Sequence, residues 1–365
     1  MMVNLHEIDD WVSKISEEMN FYGYLTPINL LEEKEKFFKN IRGKRAYNPR
    51  FQYKERQFKK MSEVLREYLN LLDEHDDLHN LFINKIKFLL KQLEILTADD
   101  TNFYEKAVNL YGRPDMACLS ASLKILSESK NAGYAFPKET VSPEEMAAIL
   151  KNEIKIHDIG WKVLITCKII PKITVSGKDK TVYINANINY TFEEIERLKV
   201  HEIKTHVFRG ENGALQPYKI FAEGLSDYNE TEEGLAVLLE KAAGCHKIDA
   251  RQVKLYAARA VCADLCLKKT FFETFTLLRK FVPEDLAYRL TERGKRGMRD
   301  TAQKGGLITG FHYISGWQKV RKYVEAGGNL RILYVGKVGL KDVEVMGRML
   351  RKGELNAPRY LPELI

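Results

Sequence analysis

Two histidines and a glutamate stand together in His201-Glu202-Ile203-Lys204-Thr205-His206. Two imidazoles with an adjacent glutamate are the ligand and base set of zinc-dependent amide hydrolysis. In the commonest motif of this kind the histidines are four residues apart and share one helix face. Here they are five apart, and at about 100° per residue the offset is roughly 140°, which aims the rings away from each other. A regular α-helix therefore cannot build the site. One residue looped out as a π-bulge restores a common face, and such bulges occur mostly at functional sites. The competing reading is two unrelated surface histidines, and with eight histidines in the chain it is the weaker one.

Zinc also needs a third protein ligand and an open position for water. Glu223, Glu230, Glu232 and Glu233 follow the hexapeptide, the last two just after Thr231. Thr231 reads as the N-cap of a second helix running through Leu239. A carboxylate in its first turn can face the histidine helix. Spacing leaves Glu232 and Glu233 as alternatives, and either is equally a first-turn acid favoured by the helix dipole.

The elements that must position these groups are legible around them. Thr191-Phe192-Glu193-Glu194 is a capping box that opens the histidine helix, and Ser142-Pro143-Glu144-Glu145 opens an earlier one. Between them, Val163, Ile165, Ile169, Ile173 and Val175 precede the turn Ser176-Gly177-Lys178-Asp179. Thr181-Val182-Tyr183-Ile184-Asn185-Ala186-Asn187-Ile188 follows it. β-Branched alternation on both sides of a four-residue turn predicts a hairpin. The first hundred residues read as helical: Leu5, Ile8, Trp11, Ile15 and Met19 recur at helical spacing, as do Phe58, Met61, Leu65, Tyr68 and Leu72. A third apolar stripe runs from Leu81 to Leu96. Beyond Glu240 the chain is mostly helical, with a start at Pro283-Glu284-Asp285 and a strand-like run at Arg331-Ile332-Leu333-Tyr334-Val335. Val335-Gly336-Lys337 lacks the rest of a phosphate-binding loop and reads as a turn.

Composition sets the outer bounds. A chain of 365 residues, 45% hydrophobic and 30% charged, has the make-up of an ordinary globular protein. Its N-terminus has neither the basic stretch nor the apolar core of a signal peptide, and no apolar run reaches the ~18–20 residues that cross a bilayer. The five cysteines show no CxxC spacing and read as reduced thiols of a cytoplasmic protein, with Cys262 and Cys266 packing on one helix face. A net charge of +8 favours acidic partners, but the basic residues are dispersed and no nucleic-acid-binding signature accompanies them, so neither nucleic acid nor a membrane is expected as a partner.

Several separate segments, in order, resemble one family. They are Leu110-Tyr111-Gly112-Arg113-Pro114, the hexapeptide, Asn212-Gly213, Gln216-Pro217, Thr231-Glu232-Glu233-Gly234-Leu235-Ala236, Arg293-Gly294-Lys295-Arg296-Gly297, Asp300-Thr301 and Gly305-Gly306. Together they resemble the microtubule-associated tyrosine carboxypeptidases, whose bacterial members are labelled by a QEGLA motif. The resemblance implies an α+β, mainly helical, zincin-like metallopeptidase with a small sheet or hairpin beside an HExxxH helix. Residues 1–100 would form an N-terminal helical region and 101–365 the catalytic domain, the two packed as one compact unit. It implies Zn2+ on His201, His206 and Glu233, since the position of Glu232 is glutamine in many relatives.

Glu202 is then the general base that takes a proton from the attacking water and delivers it to the leaving amine. An oxyanion-stabilising group is needed as well, and Tyr313, His312 and Tyr228 are the candidates, Tyr313 first. A carboxypeptidase must bind a terminal carboxylate, for which Lys295 and Arg296 are the expected cations. Asn212 and Tyr183 complete the expected substrate contacts, the strand of Tyr183 running beside the peptide. One departure stands out: relatives carry Thr-Lys-Asp after the Gly-Gly pair, where this chain has Ile308-Thr309-Gly310. The expected activity is removal of the C-terminal residue of a peptide or protein, with an endopeptidase or a non-catalytic zinc protein as the alternatives.

Overall fold

The apolar stripe at the N-terminus folds as expected into the helix Leu5–Met19, but its core face is Ile8, Val12, Ile15 and Met19. Trp11 lies one position off that face, 38% exposed, with the Lys14 ammonium over its ring. A computed structural model describes residues 4–55, 57–128, 140–169, 171–245 and 250–363. The chain divides into two units. One comprises Met1–Ala132 and Val253–Ser315, the other Gly133–Gln252 and Gly316–Ile365. The chain leaves the first unit and later returns to it.

The first unit is built mainly from helices. The expected stripes become the helices Lys59–Leu69 and Asp77–Leu96, and the proline start becomes Glu284–Gly294. Its core includes an aromatic cluster in which Phe37 meets Phe275 at 4.8 Å and both Phe271 and Tyr288 at 5.1 Å between ring centroids. Edge-to-face geometry of this kind adds about 0.5–1.5 kcal/mol per pair beyond the burial itself. All five cysteines are free, and Cys262 and Cys266 pack within the helix Ala250–Lys268 with their sulfurs 3.9 Å apart.

The second unit carries a three-stranded sheet: β1 (Lys162–Thr166), β2 (Ile173–Ser176) and β3 (Thr181–Asn185). The hairpin of β2 and β3 forms as expected, and β1 adds in parallel to the other edge of β3. The order is β1-β3-β2, so the strand of Tyr183 is the central one. Both its edges are taken by ladder bonds, so a peptide strand could pair only with an outer edge of the sheet. The helix Pro143–Ile156, opened by the Ser142 capping box, packs on β1.

The run 331–335 is not a strand but part of the 3₁₀ helix Leu330–Tyr334. Leu333, Tyr334 and Val335 are all buried, and a fully buried apolar run carries no periodicity by which strand and helix could be told apart. No helix among the described residues is long and apolar enough to cross a membrane.

Candidate metal centre

The histidine-bearing rod begins where the sequence says it should: the Glu194 carboxylate accepts from the Thr191 backbone N–H at 3.0 Å and closes the capping box. It runs as an α-helix over Phe192–Leu198, a π-helix over Lys199–Val207 and an α-helix again over Phe208–Ala214. The π segment is the departure that five-residue spacing demands. It is longer than a single bulge, and it brings the two imidazoles to 4.9 Å between centroids, tilted 71°. Two side chains hold it: the Thr205 hydroxyl donates to the Val200 carbonyl, five residues back, at 3.0 Å, and the buried Tyr334 hydroxyl donates to the Lys204 carbonyl at 2.9 Å.

A second helix, Asn229–Ala242, packs against the π segment. It starts before Thr231, because the Thr231 hydroxyl accepts instead from the distant Leu340 N–H at 2.9 Å. The approach of this helix to its neighbours depends on glycine. A Cβ on Gly234 would overlap the backbone of Gly316, and one on Gly316 would overlap the Glu230 carbonyl.

From this helix three glutamates reach the histidines. Glu240 Oε1 lies 2.7 Å from His201 Nδ1, and Glu233 Oε2 lies 3.5 Å from His201 Nε2. Glu232 Oε2 lies 3.4 Å from His206 Nδ1. Each Nδ1 thus faces a carboxylate, which leaves the Nε2 atoms as the donors for a cation. Donor atoms of His201, His206 and Glu233 all lie within 4.8 Å of one another. The carboxylates behind the rings are themselves anchored: Arg209 Nη1 is 3.2 Å from Glu232 Oε1, and Arg197 Nη1 is 3.7 Å from Glu240 Oε1. Arg209, fully buried, also donates to the carbonyls of Leu333 at 2.9 Å and Val338 at 2.5 Å.

Electrostatics favours positive charge at this spot. Burial alone would pull the His201 pKa down, but Glu233 and Glu240 outweigh it and lift the imidazole to about 10. Burial would raise the Glu233 carboxyl, and the imidazoles beside it hold it low instead. Glu232 is likewise driven well below the carboxylate range, burial being overcome by Lys337, His206 and Arg209. Glu233 Oε2 is sealed from solvent and makes no hydrogen bond. An orphaned, ionised carboxylate oxygen facing two imidazole nitrogens is a donor set that fits a divalent N/O-ligated ion such as zinc. His201 is sealed while the His206 and Glu233 side chains keep 13% and 24% of their surface, so one side of the trio remains open. Glu202 follows His201 and is partly exposed, and its carboxylate makes no hydrogen bond or ion pair with any described residue.

The remaining expected site residues are occupied elsewhere. Asn212 holds the C-terminal segment: its Oδ1 accepts from the N–H groups of Arg359 and Tyr360 at 2.9 Å each, and its Nδ2 donates to the Tyr360 carbonyl at 2.7 Å. The Tyr183 hydroxyl is bonded to Asp179 in the hairpin turn. In the first unit, Lys295 is fully buried and spends its three N–H donors on the carbonyls of Gln303, Lys269 and Cys266, at 2.6, 2.7 and 3.2 Å. Arg296 is forked onto Glu292 at 2.7 and 3.3 Å. Tyr313 stacks on Tyr256, and His312 is buried against Phe311 and Tyr111. Of the three oxyanion candidates Tyr228 alone belongs to the second unit, where Glu232, Arg209 and Glu233 act on its phenol and burial pushes its pKa up. Glu240 escaped the sequence reading, although its seven-residue, two-turn step from Glu233 is a signal that could have found it.

A family model described as microtubule-associated tyrosine carboxypeptidase matches residues 35–365. The chain belongs to the microtubule-associated tyrosine carboxypeptidase family. Among its relatives in this family is a putative tyrosine carboxypeptidase of the mouse, MATCAP2, 25% identical over 349 residues, which cover 92% of this chain and 58% of the mouse protein. Microtubule-associated tyrosine carboxypeptidase 1 of the rat is 27% identical over 47% of this chain and 36% of its own length. The human protein of that name is 30% identical over 41% and 32% respectively. This family member thus spans less than two thirds of the relatives it matches.

Proposed function

We propose that the protein is a zinc-dependent carboxypeptidase that removes the C-terminal residue of a peptide or protein. The observation that carries the reading is the π segment, which sets His201 and His206 against Glu233 and places an unpaired Glu202 beside them. The names of the relatives, tyrosine carboxypeptidases, supply the reaction class. His201, His206 and Glu233 would hold the ion, with Glu240 and Glu232 fixing the two imidazoles from behind. Zinc held there supplies Lewis acidity for the scissile carbonyl and for the attacking water. Glu202 accepts the proton of that water and returns it to the leaving amine, a role that suits a carboxylate with no partner to displace. Tyr228 is the phenol of this unit that would donate to the developing oxyanion. A purely structural metal site has no use for an unpaired glutamate next to its ligands, which weighs against a non-catalytic reading. The net charge of +8 suits an acidic substrate segment.

Substituting ligand and base separately tests the assignment. His206→Ala and Glu233→Ala should each lose most of the metal, against about one zinc per chain in the parent. Glu202→Gln should keep the metal and lose hydrolysis. Metal analysis by mass spectrometry alongside a peptide-cleavage assay reads both, and loss of zinc from Glu202→Gln would show that the base had been misassigned.

A further inference from the structure

The turn that leads into the helix Asn229–Ala242 holds a carboxylate without a partner. Asp227 sits at φ 56°, in the left-handed region that few residues besides glycine, asparagine and aspartate adopt. Its side chain is half-buried and makes no hydrogen bond or ion pair with any described residue. Burial pushes its pKa up, Lys341 and Lys319 pull against that, and Glu230 adds to it. Both ammoniums are therefore near, yet neither closes onto Asp227. Lys319 is taken by Glu230 at 2.6 Å, and Lys341 donates to the neutral Ser226 hydroxyl at 2.8 Å.

These groups, all of the second unit, surround a cavity of about 250 Å³. Gly316 and Gly339 line it with backbone alone, and a Cβ on Gly316 would overlap the Glu230 carbonyl. The volume is below the ~300–1,000 Å³ of pockets for drug-sized ligands, so the occupant is small. Lys341 lies in the 3₁₀ turn Leu340–Asp342 that runs into the helix Val343–Lys352, and its backbone N–H has no acceptor among the described residues. An open N–H in a first turn, beside an ammonium, favours a negative group. Glu230 and Lys319 cancel each other, which leaves one carboxylate and one ammonium unsatisfied across the cavity. A metal cation would meet two ammoniums there, and an inorganic anion would meet Asp227. A small molecule that carries both charges on a short spacer satisfies both sides with charge-assisted hydrogen bonds.

We propose that this cavity binds a free α-amino acid, with its ammonium on Asp227 and its carboxylate on the ammonium and backbone N–H of Lys341. None of His201, His206 and Glu233 lines the cavity, so the site is separate from the metal centre and does not depend on the peptidase reading. The helix Asn229–Ala242 serves both places, presenting Glu230 here and Glu233 to the histidines.

The test titrates the proteinogenic L-amino acids one at a time into the full chain by calorimetry, up to about 10 mM. At least one should bind, and its N-acetyl and carboxamide forms should each bind about tenfold or more weaker. Asp227→Asn keeps the side-chain shape and the tolerance for a left-handed backbone. It should weaken the unmodified amino acid about tenfold, with less than about a further twofold loss on N-acetylation. Lys341→Met, at an exposed side chain, should do the same for the carboxamide. Thermal melts check that both variants fold; should one melt early, the other variant and the modified ligands carry the test.

No binding by any amino acid would overturn the proposal. So would binding that both variants leave within about twofold of the parent, which is how an amino acid chelating zinc at His201 and His206 would behave. Inorganic phosphate is the remaining arm. If it binds through Lys341 while amino acids do not, the cavity is an anion site and the assignment falls. The titration involves no turnover, so a chain that cleaves nothing can still bind through Asp227 and Lys341. A chain that cleaves peptides and binds no amino acid sinks this site alone.

Discussion

His201 shows how much of the proposed metal site is decided by the carboxylates behind the imidazoles. Its Nδ1 is fixed by Glu240 at 2.7 Å, and Glu240 is fully buried with Arg197 beside it. A carboxylate in that position sets the tautomer and raises the basicity of the ring. Glu240→Gln should therefore weaken zinc binding by about 10- to 100-fold, measured by competition with a chelator, while Glu202 chemistry survives at saturating metal. Asn212 gives the opposite case. Asn212→Ala leaves the backbone groups of Arg359 and Tyr360 without partners and should destabilise the protein by about 2–3 kcal/mol, with zinc content unchanged. A rise in KM at constant stability would restore Asn212 to substrate binding. The residues proposed as ligands stood out in the sequence because chemistry restricts their types. The partners of Asn212, Lys295 and Arg296 were not, because a sequence shows that a polar group exists and not which partner has claimed it, be it four residues away as for Arg296 or 148 as for Asn212.

Among the elements, the π segment was legible from a geometric contradiction: two ligands five apart cannot share the face of an α-helix. What the sequence could not show is how the segment is held. The Thr205 hydroxyl on the Val200 carbonyl spans the same five residues as the π-helical hydrogen bond. Thr205→Val keeps the shape and removes the hydroxyl, and should cost about 1 kcal/mol in a urea titration together with a measurable loss of zinc affinity. No change in either would mean that packing alone maintains the widened turn. The second helix was placed correctly but started late, since its Thr231 is bound to Leu340 rather than capping. The strand of Tyr183 was found, yet its central position was not, because pairing depends on β1, which the hairpin signal does not include.

For the whole molecule, the chain alternates between two units, each made of two separate stretches of sequence. The residues proposed as metal ligands and base all belong to the second unit, and each unit is assembled from segments far apart in sequence. The central claim is a reaction at a free C-terminus, and the most direct measurement is mass spectrometry of peptides varied at that terminus, incubated with the zinc-loaded chain. The account predicts loss of one residue from free acids, no loss from the matching amides, and no product at all with Glu202→Gln. Cleavage of amidated peptides as fast as free acids would contradict it.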